Sequence, residues 1–408
     1  MNEKFTIQKI LKIVTPVVTI VIGILFIILF LPSSKEVYNE RFFMKIDSSS
    51  INQVKVLEVL DTFSGKNYHG DESDFYVYRC EVRKSDKLEK GSEILVIQCI
   101  SNLEKNRYIS AKVGNTIYIS PTTSWTVTGD YDINWEFVGS SFSFDRIKVT
   151  LVLVIIFALM IILFSKLQGI YTIIALALSV ISIFIVFIPQ VLLGGNIYLW
   201  TFIISVYIIV ITLLLVIGFN YKALGAFIGC VGGVFVIAIL TLIVQKAFAL
   251  TGNYDETTYE LDMLVKDTYN VTIDLRALIF ASITLGSIGA LLDVAISLSS
   301  SLYEVSLKTI NAKEIIKSGF TIGKDMLGTM TNTLILAYLG SSLPIVLFTI
   351  LFSNFETILR LEMISIELIQ SIVGTLGMLS AIPIVSIFCG VIYNKILKKE
   401  ENNSIIGG

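Results

Sequence analysis

One histidine, four cysteines and a charged share of 16% in a chain of 408 residues exclude a good deal of chemistry. Zinc sites of the usual kind draw on histidine and cysteine together. His69 stands alone in a loop and there is no Cys-x-x-Cys, so no such site can be built. Ser/His/Asp and Cys/His catalysis both need an imidazole, and the single one lies far along the chain from the membrane segments read below. A Gly-rich phosphate loop is absent, as is any basic tract interleaved with aromatics. Nucleotides and nucleic acids are therefore not expected partners, and no cofactor is expected. The formal net charge of −2 selects no partner class.

What is present is apolar. Soluble domains carry about 25% charged residues. Here 54% of residues are hydrophobic and the mean hydropathy is +0.79, the balance of a polytopic membrane protein whose first partner is the lipid bilayer. About 20 apolar residues cross the ~30 Å of hydrocarbon in a bilayer. Runs of that kind lie near 13–31, 147–164, 170–188, 198–217, 223–243, 277–298, 330–351 and 368–393, which predicts about eight transmembrane helices. The positive-inside rule tests the count. With eight spans, Lys4, Lys9, Lys12, Lys166, Lys222, Lys308, Lys313, Lys317, Lys324, Lys395, Lys398 and Lys399 all fall on one side. The acidic stretch 255–274 and the 352–367 loop fall on the other. Both termini are thus expected in the cytoplasm. The first run is longer than the 7–15 residues of a signal core and is followed by no small-x-small cleavage site, so it reads as an uncleaved anchor.

The division that follows is an N-terminus with anchor (1–32), an extracytoplasmic β-rich domain (33–145), a seven-helix membrane domain (146–396) and a tail (397–408). In the β-rich domain, stretches 55–61, 74–82, 92–98, 108–113 and 116–120 are rich in β-formers. Gly65-Lys66, Gly70-Asp71, Lys90-Gly91 and Gly114-Asn115 mark turns between them. Five short strands predict a small barrel or sandwich, OB-like in spacing. Cys80 and Cys99 fall on neighbouring strands on the oxidising side, where a disulfide is open to them. Cys230 and Cys389 lie within spans and read as small apolar packers.

The sixth run carries a carboxylate, Asp293. A charged Asp at mid-bilayer costs roughly 3 kcal/mol on insertion scales, so it needs a partner, a proton or a task. At about 100° per residue, Gly286, Gly289, Asp293, Ser297, Ser300 and Glu304 fall within about 40° of one line. After this run, 305–325 reads as an amphipathic stretch on the cytoplasmic face leading into the seventh span. There Asp325, Thr329 and Asn332 share a side at i, i+4, i+7. Asp293, Ser297, Thr329 and Asn332 sit at comparable depth on antiparallel neighbours and are the candidates for binding an ion or small solute. Ser300 belongs with them, and Glu304 and Asp325 are secondary candidates. Interhelical hydrogen bonding is the competing explanation for Asn332, and a solvated or ion-paired role the competing one for Glu304. Gly225, Gly229 and Gly233 predict close helix packing, as do Gly286 and Gly289. Gly340-Ser-Ser-Leu-Pro344 predicts a kink in the seventh span.

Three stretches resemble the YibE/F-like family of bacterial multispan membrane proteins. They are 286–305 with its Leu-Leu-Asp293-Val-Ala-Ile-Ser core, 323–344 with Met330-Thr-Asn-Thr-Leu-Ile and Ala337-Tyr-Leu-Gly-Ser-Ser-Leu-Pro, and the turn Gly218-Phe-Asn-Tyr-Lys222. The resemblance implies a fold and a location, not a reaction. Two functions follow from the residues. One is a transporter or permease in which Asp293 binds a proton or a hard cation such as Mg²⁺, Mn²⁺ or Na⁺ through oxygen ligands. The alternative is a non-transporting sensor, scaffold or assembly factor that meets a protein partner through its extracytoplasmic domain. An enzyme is not expected, and oligomeric state is left open.

Overall fold

The computed structural model describes residues 2–41, 52–66, 70–85, 88–104, 109–122, 137–144, 146–254, 256–269, 271–309, 311–352 and 360–406. His69 lies outside them. The chain divides into two compact units, Phe43–Met160 and a second formed by Met1–Phe42 with Ile161–Gly408.

The smaller unit is a closed five-stranded barrel of β1 (Asn52–Lys66), β2 (Glu72–Lys84), β3 (Glu93–Ser101), β4 (Thr116–Thr122) and β5 (Phe137–Phe144), in the order β1-β2-β3-β5-β4. It closes because β1 is long enough to pair antiparallel with both β2 and β4, while β3 and β5 run parallel. Alternation along the strands sends Val54, Val56, Tyr78, Cys80, Val82, Ile94, Val96, Ile117 and Ile119 inward. The stretch 108–113 was expected as a strand, but its described residues are irregular. Its backbone is held by side chains instead of a ladder: Ala111 N–H donates to Tyr78 Oη (3.0 Å), and Gln98 Nε2 donates to the Ile109 carbonyl (3.0 Å). The fifth strand is supplied by 137–144.

The register also settles the cysteines. Cys99 pairs opposite Phe75 and Cys80 opposite Ile94, so the two lie about five residues, or roughly 16 Å, apart along the sheet. Cys80 is shut inside the barrel and Cys99 is on the outer face beside Phe63, Phe75, Val77 and Ile97. A disulfide between them is excluded, and all four cysteines are free.

The larger unit is helical. It contains α1 (Asn2–Lys35), the part of the kinked α2 (Ile147–Ser182) from Ile161 on, the short α3 (Ile188–Leu192), α4 (Ile197–Val216), α5 (Tyr221–Ala247), α6 (Glu256–Tyr269), α7 (Leu275–Ser306), α8 (Ala312–Ser341), α9 (Leu343–Phe352) and α10 (Glu362–Ile406). Among the described residues, six helical segments are long and apolar enough to cross a membrane: Val14–Tyr38, Ile147–Leu192, Ile197–Val216, Tyr221–Ala247, Leu275–Ser306 and Glu362–Lys395. Asparagine or aspartate side chains cap four helices by accepting first-turn N–H groups: Asn196 on α4, Asn220 on α5, Asp274 on α7 and Asn311 on α8.

Three features differ from the sequence reading, and a fourth concerns the second and third runs, which are two helices joined across a break at Lys166 (φ 51°, ψ −128°). A Cβ at Gly169 would lie 2.6 Å from the Ile161 carbonyl oxygen, whereas eight residues of straight helix would separate the two by about 12 Å. The chain therefore folds back on itself there. Within the stretch read as an acidic loop, α6 forms and buries Val265 in the bundle core. The 305–325 stretch is not a separate surface helix: it ends α7, turns, and from Ala312 is already α8, which runs unbroken to Ser341 before α9 restarts at Leu343. Finally, α10 begins at Glu362, which takes Glu367 out of the loop, and it continues to Ile406 through the expected tail.

Candidate functional site

The glycines of α5 decide where the bundle is tightest. A Cβ at Gly225 would meet Cys389 and Ser299, one at Gly229 would meet Val385, and one at Gly233 would meet Leu291. The three glycines therefore let α5 approach α7 and α10 together, as close packing requires. At the end of this contact Ser299, fully buried, donates to the Lys222 carbonyl (2.7 Å) and lies 2.9 Å from Tyr393 Oη. The Tyr303 and Tyr393 rings meet edge to face at 5.5 Å, and Lys222 Nζ stands 4.5 Å over Tyr303. The same ammonium pairs with Glu304 at 3.0 Å. Glu304 thus has a surface ion-pair role.

Helix α7 packs against α4, α5, α8 and α10, which leaves one strip uncovered. Between Ala277 and Val305 every exposed residue lies on it: Ser282, Gly286, Gly289, Asp293, Ser297 and Glu304. The polar line expected from the helical wheel is therefore real, but it faces out of the bundle, not into it. Ser300 is half-buried at its edge. Among the described residues, Asp293 makes no hydrogen bond and no ion pair. Nothing would lie within 4 Å of a Cβ on Gly289, so there is open space one turn from the carboxylate.

Helix α8 borders the strip at Gly286, where a Cβ would sit 2.8 Å from Tyr338 Oη. Counting seven residues from that contact along both antiparallel helices puts Asp293 level with Thr331. At about 100° per residue, Thr331 lies about 20° from the Tyr338 direction and Asn332 about 120° from it. The count thus puts Asn332 within one residue of the level of Asp293 but turned to another side. Thr329, Asn332 and Asp325 are exposed, and the Thr329 hydroxyl donates within its own helix to the Met326 carbonyl (3.1 Å). No hydrogen bond joins Asp293, Ser297, Thr329 and Asn332 among the described residues.

Sequence reasoning missed a second polar group near the start of α10. Ser342, 2% exposed at the α8–α9 break, donates to Glu367 Oε2 at 2.6 Å. The apolar runs on either side hid this pair, because Glu367 read as loop and Ser342 as part of a kink. Glu362, five residues earlier, holds the loop after α5 by accepting from Thr251 N, Thr251 Oγ1 and Gly252 N at 2.6–2.8 Å. A pocket of about 220 Å³ where α4 and α7 begin is lined by Gly195, Asn196, Thr272 and Asp274, but Asn196 and Asp274 already cap their own helices. No group of three or more His, Cys, Asp or Glu comes together among the described residues.

These helices are also where the chain matches a family. The model of the YibE/F-like proteins covers residues 153–395, more than half of the 408. The chain belongs to the YibE/F-like family. The match runs from within α2 to the end of the apolar part of α10, so it takes in the α7 strip and leaves the barrel outside. Comparisons with curated proteins and with solved structures return no match. Family and apolar helices together describe a multi-pass membrane protein.

Proposed function

We propose that this YibE/F-like protein is a permease for an ion or small solute, with Asp293 as the group that binds the moving charge. The observation that carries the reading is the uncovered strip of α7. In a bundle with apolar walls, the open line on α7 holds the unpaired carboxylate of Asp293, the ion-paired one of Glu304, two glycines and two serines and no large apolar side chain. Facing hydrocarbon, Asp293 would cost roughly 3 kcal/mol; facing a water-filled cleft it costs little and can bind a cation. Since the carboxylate stands alone, a singly charged cation or a proton suits it better than Mg²⁺ or Mn²⁺.

The same reading takes the break at Lys166 as the turn between two crossings and α8 with α9 as a further one, which gives eight spans with both termini in the cytoplasm. The barrel then stands outside the cell membrane, and its strand order supports an OB-type fold. Flux of Na⁺, K⁺ and protons into proteoliposomes tests the proposal: Asp293→Asn is expected to abolish flux at an unchanged melting temperature, and flux that survives the change removes it. A scaffold or sensor role is favoured by one observation, that the barrel forms a compact unit of its own. That role predicts loss of function on barrel deletion, with Asp293→Asn harmless.

A further inference from the structure

The first half of α8 presents a basic face that transport through the α7 strip does not use, and we propose that it binds the headgroups of anionic phospholipids at the cytoplasmic surface of the membrane. The face is the line Lys313, Lys317, Phe320 and Lys324, with Leu307 at the end of α7 beside it. It rests on the eight-span reading for the depth of α8 and not on any role of Asp293.

Helix α8 turns its small residues inward. Ile315, Gly319 and Gly323 are buried. A Cβ at Gly319 would meet Ser386 and one at Gly323 would meet Ile382, so this side lies against α10. At about 100° per residue, Lys313, Lys317, Phe320 and Lys324 fall within about 30° of one line on the other side. All four are exposed, Phe320 to 46%. Counting from the Gly286–Tyr338 contact puts Leu307, 57% exposed, level with Lys317. Large apolar side chains between lysines suit the boundary of headgroups and acyl chains, where the rings enter hydrocarbon and the ammonium groups stay wet. Beyond Lys324 the same line continues through Thr331 and Tyr338, which carry no charge.

The acidic groups nearby are engaged or turned away. Glu314 accepts from Thr309 Oγ1 (2.6 Å) and Asn311 Nδ2 (3.3 Å) at the start of its own helix. Glu304, level with Phe320 by the same count, pairs with Lys222. Asp325 points about 100° away from Lys324 around the helix. Among the described residues, none of the three lysines makes an ion pair. Lys324 then decides the partner. It stands eleven residues, about 16 Å, along α8 from Lys313, at the edge of the hydrocarbon in the eight-span reading. An unpaired ammonium there is expensive. Its stem can lie along the helix and carry the charge back toward the cytoplasmic surface. The anion present at that depth is the lipid phosphate, and anionic headgroups attract lysines placed this way.

The test is thermal unfolding of the full chain in nanodiscs of phosphatidylcholine with a rising share of phosphatidylglycerol, at constant ionic strength. The wild-type melting temperature is expected to rise with the anionic share. Each lysine at an anionic surface strengthens that preference about fivefold, so Lys317→Gln/Lys324→Gln is expected to lose most of the gain. Lys246→Gln/Lys266→Gln removes the same charge from exposed lysines of α5 and α6 and is expected to keep it, as is Asp293→Asn. A wild type indifferent to phosphatidylglycerol overturns the proposal, as do two double variants that lose the gain equally. A gain reproduced in pure phosphatidylcholine by inorganic phosphate also overturns it, in favour of the free anion. Depth is read separately, from the quenching of Phe320→Trp by lipids brominated near the headgroup end of their chains, above the background of the three native tryptophans. No added quenching overturns this proposal together with the eight-span placement of α8. Added quenching without a response to phosphatidylglycerol overturns this proposal alone.

Discussion

Ser299 Oγ lies 2.9 Å from Tyr393 Oη, and both atoms are buried where α5, α7 and α10 meet. The serine also donates to the Lys222 carbonyl at the start of α5, so one side chain ties three helices together. Two positions before it on the same helix, Ser297 is exposed and on the open strip.

This contrast gives the first prediction. Hydrogen bonds between helices in membranes average about 0.6 kcal/mol, with a maximum near 1.7. Ser299→Ala and Tyr393→Phe should each cost on the order of 1 kcal/mol, and the double variant less than their sum, since they share one bond. Ser297→Ala should leave stability unchanged. Unfolding of the purified variants in detergent or bicelles checks all four.

The glycines divide in the same way. Gly229→Ala drives a methyl into Val385, and overpacking of that kind costs about 1–3 kcal/mol. Gly289→Ala meets nothing within 4 Å and relieves the roughly 1 kcal/mol helix penalty of glycine, so it should be neutral or mildly stabilising. Equal losses of melting temperature at the two positions would show that the strip is covered in the membrane after all.

The barrel offers a prediction in pH. Burial pushes the Cys80 thiol from 9.0 up to about 12 and raises the Cys99 thiol and the Tyr78 phenol as well. Groups whose acidity is weakened by folding stabilise the native state fully below their unfolded values. That contribution is lost as pH climbs through the folded ones. Barrel stability should therefore fall from about pH 9 upward, with a smaller slope in Cys80→Val. On the folded protein a maleimide should label Cys99 well ahead of Cys80, and a non-reducing gel should show no internal disulfide.

The Lys222–Glu304 pair should matter little. Glu304 is exposed, and exposed pairs contribute about 0–1 kcal/mol, screened by salt. Glu304→Gln should shift stability by no more than that, with a difference that shrinks at high ionic strength; a loss of transport in this variant would instead mark Glu304 as part of the pathway.

The polar line of α7 and its membership of one helix were legible in the sequence, because a wheel needs only the angle per residue. Its direction was not. A wheel places Asp293 and Ser297 on one side without saying where the neighbouring helices stand, and four of them cover every side but that one. The partner helix shows the same limit: Asn332 was read as facing Asp293, yet by the count from Gly286 Thr331 is the residue turned to the Tyr338 side. Glu367 was hidden for a different reason, since the polar run before α10 does not reveal where the helix begins. In the barrel, four of the five expected strands formed. The other, 108–113, failed because Gln98 and Tyr78 take up backbone groups that a neighbouring strand would have bonded.

The bend at Lys166 has a consequence for everything after it. A straight 36-residue helix would run about 54 Å, far longer than the ~30 Å it has to cross. With the reversal, in the proposed topology, the same residues become an even number of crossings in place of an odd one. One backbone angle therefore sets the parity of the chain: a Lys166 variant that straightened the hairpin would present α4 to α10, Asp293 included, upside down to the two compartments.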